Sequence, residues 1–238
     1  MEPFNPRDNK LLACLPDAEW QRWEPQLELV DLPLGKVLYE SGAQQTFVYF
    51  PTSAIISLLY SLDDGSSAEI AVVGFEGLLG VCIYMGGGST PSRAVVQSAG
   101  MGCRLRADAF KREFERSIPV RHRSLRFAQA LITQMSQTAV CNRHHSLEMQ
   151  LSRWLLLSLD RLPGNEVVMT QELIASKLGV RRVSITEAAH KLQADGLISY
   201  ARGHIWVLDR PRLEERTCEC YRVVKKEYDR LIPDCDAV

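Results

Sequence analysis

The residues with the most specific chemistry are Arg181-Arg182-Val183-Ser184, followed at helical spacing by Glu187, His190 and Lys191. A guanidinium can donate two parallel hydrogen bonds to guanine O6 and N7, a carboxylate can accept from cytosine N4, and an aliphatic side chain can touch the thymine methyl. Arg182, Glu187 and Val183 bring these three chemistries to the first turn and outward face of one helix, the part that enters a major groove. Arg181, Ser184, His190 and Lys191 suit phosphate oxygens instead. The simpler alternative is a solvated helix face, so the neighbouring segments must decide.

Those segments meet the demands of two helices crossing at a tight turn. From Thr170 to Leu192 the sequence places small Ala175 where the helices approach and Gly179 four residues later, where the turn needs a positive φ. Ile174, Leu178, Val180, Ile185, Ala188 and Leu192 supply the apolar contacts, and Thr170 is suited to cap the first helix, with Glu172 in its first turn. Two β-rich arms follow within Ile198 to Leu208, joined across Arg202-Gly203, which predicts a hairpin wing with Arg202 and His204 projecting from its tip towards a DNA backbone. Between Thr170 and Arg212 seven lysines and arginines face four acids, although the whole chain has a net charge of −1. A local excess of cations is what phosphate contacts require. Solvation alone would not select the turn glycine, the small alanine and the wing together.

The preceding sequence must carry and orient this unit. The 238 residues, 46% hydrophobic and 24% charged, suffice for one large or two modest cores. From Val30 to about Leu105, short β-rich runs alternate with turn signals such as Asp63-Asp64-Gly65 and Gly86-Gly87-Gly88, the spacing of a β-barrel or roll. After Pro119 the period changes: Leu125, Ala128, Ile132, Met135, Ala139 and Asn142 step by three and four, the seam of a helix pairing with another. A polar Asn142 on that seam favours a parallel homodimer in fixed register, while a long helix packed on its own β-domain is the alternative. A second apolar helix runs from about Leu147 to Leu162, and a charged tail helix from Leu213 to Leu231. The division is therefore an α+β chain: a β-roll sensor domain over 1–118, a dimerisation helix over 119–145 and a winged helix-turn-helix over 146–238.

Met1 to Lys10 is polar and holds charges of both signs, so it reads as neither signal peptide nor anchor, and no run of apolar residues is long enough to span a bilayer. Seven scattered cysteines in a chain of this size predict free thiols and a reducing compartment, hence the cytoplasm.

The order of β-rich half, heptad helix and winged helix-turn-helix resembles the Crp/Fnr family of bacterial transcription regulators. The most specific stretch is Leu178-Gly179-Val180 to Leu192, then Asp195-Gly196-Leu197-Ile198. The resemblance implies a cyclic-nucleotide-binding-like jelly roll, a homodimer reading a two-fold symmetric operator in double-stranded DNA, and contact with RNA polymerase. By position it puts Arg182, Val183 and Glu187 on base-reading places and Thr170, Ser184 and His190 on phosphate-contacting ones. Family members usually carry a polar or acidic residue where Val183 stands and often a basic one where Glu187 stands, so the operator is expected to differ from the family's best-known sequence. Members that bind cyclic AMP use a Gly-Glu and an Arg-Ser/Thr pair. Gly80-Val81 and Arg93-Ala94 stand nearest here, and neither Val81 nor Ala94 can make the required hydrogen bond. Cyclic AMP is therefore not expected, and neither is an iron–sulfur cluster, since Cys14 alone lies near the N-terminus. An unidentified small-molecule effector, or none, remains.

Other chemistries have weaker sequence support. Cys218-Glu-Cys220, with Cys235 and a histidine, could form a metal site or redox switch, but a Cys-x-Cys pair lacking a second pair reads first as helix or core cysteines. No metal is expected on this ground. His144 and His145 are adjacent and point apart, which disfavours chelation by both. No nucleophile elbow, zincin motif or dinucleotide fingerprint occurs, so no catalytic residue is assigned and an enzyme is not expected. The alternative function is a dimeric ligand-binding or thiol- or metal-sensing module in which the helix-turn-helix is secondary.

Overall fold

The computed structural model describes residues 4–235, so both ends of the sequence-based domain division lie outside it. Helices α1 (Lys10–Ala13) and α2 (Asp17–Trp23) lead into seven strands: β1 (Glu28–Leu32), β2 (Val37–Tyr39), β3 (Phe47–Pro51), β4 (Ile55–Ser61), β5 (Ser67–Val73), β6 (Arg93–Ser98) and β7 (Gly100–Arg106). Helix α3 (Val81–Tyr84) lies between β5 and β6. Aromatic and β-branched residues fill these strands, as a half-buried pleated surface favours. The strands form two antiparallel sheets, β1-β7-β3 and β2-β6-β4-β5, whose inner faces bury Val48, Phe50, Ile56, Leu58, Val73 and Leu105. The β-roll expected of the N-terminal half is thus present.

Helix α4 (Ala107–Arg116) leads to α5 (Ile118–His144), 27 residues long. Ser117 accepts from Val120 N–H at the start of α5, and Pro119 sits in its first turn, where the missing N–H costs nothing. One face of α5 packs on the roll through Phe127, Ala130 and Leu131. Gln134 on this face fastens the edge strand β5: its Oε1 accepts from Val72 N–H at 2.8 Å and its Nε2 donates to Val72 O at 3.1 Å. The amide therefore completes hydrogen bonds that an edge strand would otherwise leave open.

The expected pairing seam divides on this helix. Ala128 is buried within the protomer and Met135 is half-buried, because both lie towards the roll. Leu125, Ile132, Ala139 and Asn142 are exposed, Leu125 by 48% and Ile132 by 54%. The helix thus serves its own roll on one side, as the single-chain alternative requires, and presents an apolar stripe on the other.

After α6 (Leu147–Leu159) come β8 (Glu166–Val168), α7 (Gln171–Leu178), α8 (Arg182–Ala194), β9 (Ile198–Ala201), β10 (His204–Val207), α9 (Arg210–Arg216) and α10 (Glu219–Leu231). The wing is a three-stranded sheet in the order β8-β10-β9 rather than a bare hairpin. The single tail helix expected over 213–231 is two helices, broken at Thr217-Cys218, where both residues are extended. Helix α6 is buried almost all round and joins the roll to the C-terminal unit in one continuous apolar core.

Not all seven cysteines are free thiols: Cys14 and Cys235 form a disulfide, while Cys82, Cys103, Cys141, Cys218 and Cys220 are unpaired. The number and scatter of cysteines therefore do not assign a compartment. Among the described residues, no helix is long and apolar enough to cross a membrane.

Candidate nucleic-acid interface

Helix α7 starts at Thr170, whose hydroxyl accepts from Leu173 N–H at 3.3 Å, and ends at Gly179 with φ +66° and ψ +34°. That left-handed conformation is strained for a residue with a Cβ, so glycine is required where the chain reverses into the next helix. Helix α8 begins at Arg182. Ile174, Ala175, Ile185, Ala188 and Leu192 are buried between and beneath the two helices, with Leu178 and Val180 half-buried at the edge. Gln171 and Thr186 also link them, Thr186 Oγ1 donating to Gln171 Oε1 at 2.7 Å.

This packing turns the opposite face of α8 outward. Arg181, Arg182, Val183, Glu187, His190 and Lys191 are exposed and Ser184 is partly so. Val183 is 66% exposed, unusual for a branched aliphatic side chain but suited to a methyl contact. Among the described residues no side chain caps the N-terminus of α8, so its first-turn N–H groups and the positive end of its dipole stay open next to Arg181 and Arg182, which begin the helix.

The wing closes a recess beside this helix. Arg202 has φ +52° and Gly203 φ +85°, the positive pair that a tight hairpin turn demands. Thr170, Gln171, Glu172, Arg182, Tyr200, Arg202 and Gly203 line a recess of about 390 Å³. Two guanidinium-bearing residues and the N-terminus of α7 therefore converge on a space that Glu172 shares. Tyr200, which sequence reasoning did not single out, donates from its hydroxyl to Met169 O at 2.8 Å and so holds the wing against α7. Burial raises its phenol pKa, against the opposing influence of the Arg182 charge.

His204 is placed differently from expectation. Its Nδ1 lies 2.5 Å from Glu166 Oε1 on β8, and its ring stacks on Trp206 at 5.5 Å. The strand that carries Glu166, β8, was not visible as a strand in the sequence, and His204 is committed to the wing sheet rather than projecting from its tip.

The expected effector residues also separate. Gly80 and Val81 line a cavity of about 370 Å³ between the roll and α5, together with Tyr39, Gln45, Leu58, Ser92, Leu131 and Met135 among others. Arg93 and Ala94 do not line it. Arg93 turns to the surface, its Nε 3.0 Å from Glu40, and Ala94 is buried inside the sheet on β6. Among the described residues, no charged side chain lines the cavity. Its polar lining is made of the hydroxyl-bearing Tyr39, Tyr60, Ser89, Thr90 and Ser92 and the amide of Gln45. Gln45 is 5% exposed, and among the described residues neither its amide oxygen nor its nitrogen has a hydrogen-bond partner. Burial pushes the Tyr39 phenol up to about 12, which keeps it a neutral donor in the same cavity.

Comparison with known proteins agrees with this geometry. Residues 150–216 match the family model of the Crp-like helix-turn-helix domain. The whole fold is similar to a transcriptional regulator of the Crp/Fnr family from Eubacterium rectale, at 20% identity and a TM-score of 0.68, over 89% of this chain and 97% of that one. FixK2 from Bradyrhizobium japonicum is similar at 15% identity and a TM-score of 0.66, over 81% of this chain and 98% of its own. A CRP-family transcriptional regulator from Thermus thermophilus is similar at 18% identity and a TM-score of 0.66, over 79% and 95% of the two chains. No curated protein sequence matches the chain. Residues 150–216 thus belong to the Crp-like helix-turn-helix domain, and the chain around them has the fold of the Crp/Fnr family of transcription regulators.

Proposed function

We propose that the chain is a sequence-specific DNA-binding transcription regulator that reads a two-fold symmetric operator as a homodimer. The observation that carries this reading is the outward face of α8, where Arg182, Val183 and Glu187 stand exposed beside an uncapped helix N-terminus. In this reading α8 enters the major groove, Arg182 donates to a guanine, Glu187 accepts from a cytosine and Val183 meets a thymine methyl. Thr170, Arg181, Ser184, His190, Lys191 and Arg202 hold the phosphate backbone and set the register.

The exposed Leu125, Ile132 and Ala139 on α5, with Asn142 one step beyond, are the surface for a second copy. Pairing through it would present two recognition helices to successive major grooves. Such a reader acts where the bacterial genome lies, in the cytoplasm, and its effect on transcription runs through RNA polymerase.

The cavity lined by Tyr39 and Gln45 supports an uncharged, largely apolar effector with one or two hydrogen-bonding groups rather than a nucleotide. Selection of bound genomic fragments by the purified protein, with and without cyclic AMP, tests the whole reading. A recurrent palindromic sequence recovered without nucleotide is expected; failure to enrich any sequence under either condition contradicts DNA reading.

A further inference from the structure

Three cysteines and one histidine converge where the roll-bearing helix meets the DNA-binding unit, and none of them belongs to the nucleic-acid interface. Cys141 lies in the last turn of α5, His145 caps that helix four residues later, Cys218 caps α10 and Cys220 lies in its first turn. The three thiols are buried, between 0% and 4% exposed, in a cluster of their own. One ligand atom from each of the four residues lies within 4.8 Å of all the others. Cys141 Sγ and Cys218 Sγ are 3.5 Å apart, and Cys220 Sγ is 3.6 Å from His145 Nδ1. Metal–sulfur bonds of about 2.3 Å set at tetrahedral angles put ligand sulfurs about 3.8 Å apart.

Two further observations point to an ion within this cluster. His145 turns Nδ1 towards the thiols while its Nε2 lies 3.4 Å from Glu219 Oε2. This is the carboxylate–imidazole–metal order in which the outer nitrogen carries the proton and the inner one keeps its lone pair for the ion. Arg153 supplies the second. It is 4% exposed, forms no ion pair among the described residues, and its Nε has no hydrogen-bond partner. Its charge nonetheless acts on Cys141 and Cys220. A buried, uncompensated guanidinium is costly. Three thiolates, a neutral imidazole and a divalent cation sum to one negative charge, the counterion that Arg153 lacks.

We propose that Cys141, His145, Cys218 and Cys220 bind a single zinc ion, which staples the end of α5 to the start of α10. Binding forms three Zn–S bonds and one Zn–N bond and releases the three thiol protons to solvent. A Cys3His set without an open position is a structural zinc site, and the spacing of the four atoms leaves room for one ion rather than a sulfide-bridged cluster. Sequence spacing conceals the site because the Cys218-x-Cys220 pair finds its partners on another helix, and Cys235, the nearer candidate in sequence, is bonded to Cys14. The proposal is independent of DNA reading.

The test uses the full chain, kept reduced at the cluster, stripped with a chelator and titrated with cobalt(II) and then zinc. One equivalent of cobalt per chain should give thiolate charge-transfer and tetrahedral ligand-field bands, which zinc then abolishes, and zinc should raise the Tm. Cys141→Ser and Cys218→Ser should each lose the bands, whereas Cys82→Ser should keep them. Glu219→Gln, at an exposed position, should weaken metal affinity by about tenfold. If the serine variants fail to fold, the titration of the unaltered chain still decides. Absence of stoichiometric tetrahedral cobalt in that chain, bands that survive in both serine variants, or a chain that takes up no metal when reduced and forms a Cys141–Cys218 disulfide when then exposed to air would each overturn the proposal.

Discussion

Lys177, on the first helix of the helix-turn-helix, places its Nζ 2.8 Å from Glu69 Oε2 on β5, and both side chains are almost fully buried. Glu69 also accepts from Trp154 Nε1 at 3.0 Å and from the Ser57 hydroxyl, so one carboxylate gathers the roll, α6 and α7. A second buried pair, Arg161 Nε to Glu76 Oε1 at 2.7 Å, joins the end of α6 to the loop after β5. The helix-turn-helix unit is therefore held on the roll by charges that water does not screen, while the outward face of α8 stays exposed. Removing one partner strands the other, a cost that exceeds what the pair contributes over an apolar substitute.

Glu69→Gln is accordingly expected to destabilise the chain by about 3–5 kcal/mol. Chemical denaturation checks the magnitude, and hydrogen exchange should show faster opening at α7 and β5 together. A change below about 1 kcal/mol would mean that Lys177 finds another partner and that the docking does not depend on this contact.

At the recognition helix, Arg182→Ala should weaken binding to the selected operator by about 1–3 kcal/mol per half-site and relax the preference at one base pair of it. Replacement of Lys191, assigned to phosphate, should weaken all sequences alike. If the two variants behave identically across sequences, α8 does not sit in the groove as assigned.

The exposed stripe on α5 makes a separate prediction. Charges at Leu125→Glu and Ile132→Glu would face their counterparts across a two-fold contact, so the double variant should sediment as a monomer with an unchanged circular dichroism spectrum. A dimer that persists in this variant places the contact elsewhere.

Cys14 and Cys235 close a loop of nearly the whole chain. Cys14→Ser should lower stability by about 2–5 kcal/mol, since the unfolded chain loses its constraint. Equal denaturation midpoints for the variant and the oxidised parent would show that the bond contributes nothing to the folded state.

Features fixed by local chemistry were legible in the sequence, and features that depend on distant residues meeting were not. The helix-turn-helix could be read because Thr170, Ala175, Gly179 and the apolar positions of α7 and α8 each answer a local demand within a short stretch. The strands of the roll could be placed from their turns for the same reason. The inward turn of Ala128 and Met135 was hidden, since stepping by three and four describes a helix but not which neighbour each face meets. Strand β8 is three residues long and becomes a strand only when β10 pairs with it. Lys177 reads as a surface cation until the fold lays it against Glu69, and Gln45 gives no sign of its burial. His145 and Cys141 join Cys218 and Cys220 only through the return of α10 onto α5, a tertiary event that no spacing records.

The central claim is that the exposed face of α8 reads DNA, and salt-dependent binding tests it most directly. Titration of a selected palindromic fragment with the purified chain should show affinity falling by about 10³-fold or more between roughly 50 and 200 mM salt, as displaced counterions require. The same fragment with its symmetric half-sites scrambled should bind far more weakly at each salt concentration. Binding that is indifferent both to salt and to the half-site sequence, or no binding at all, would contradict the account.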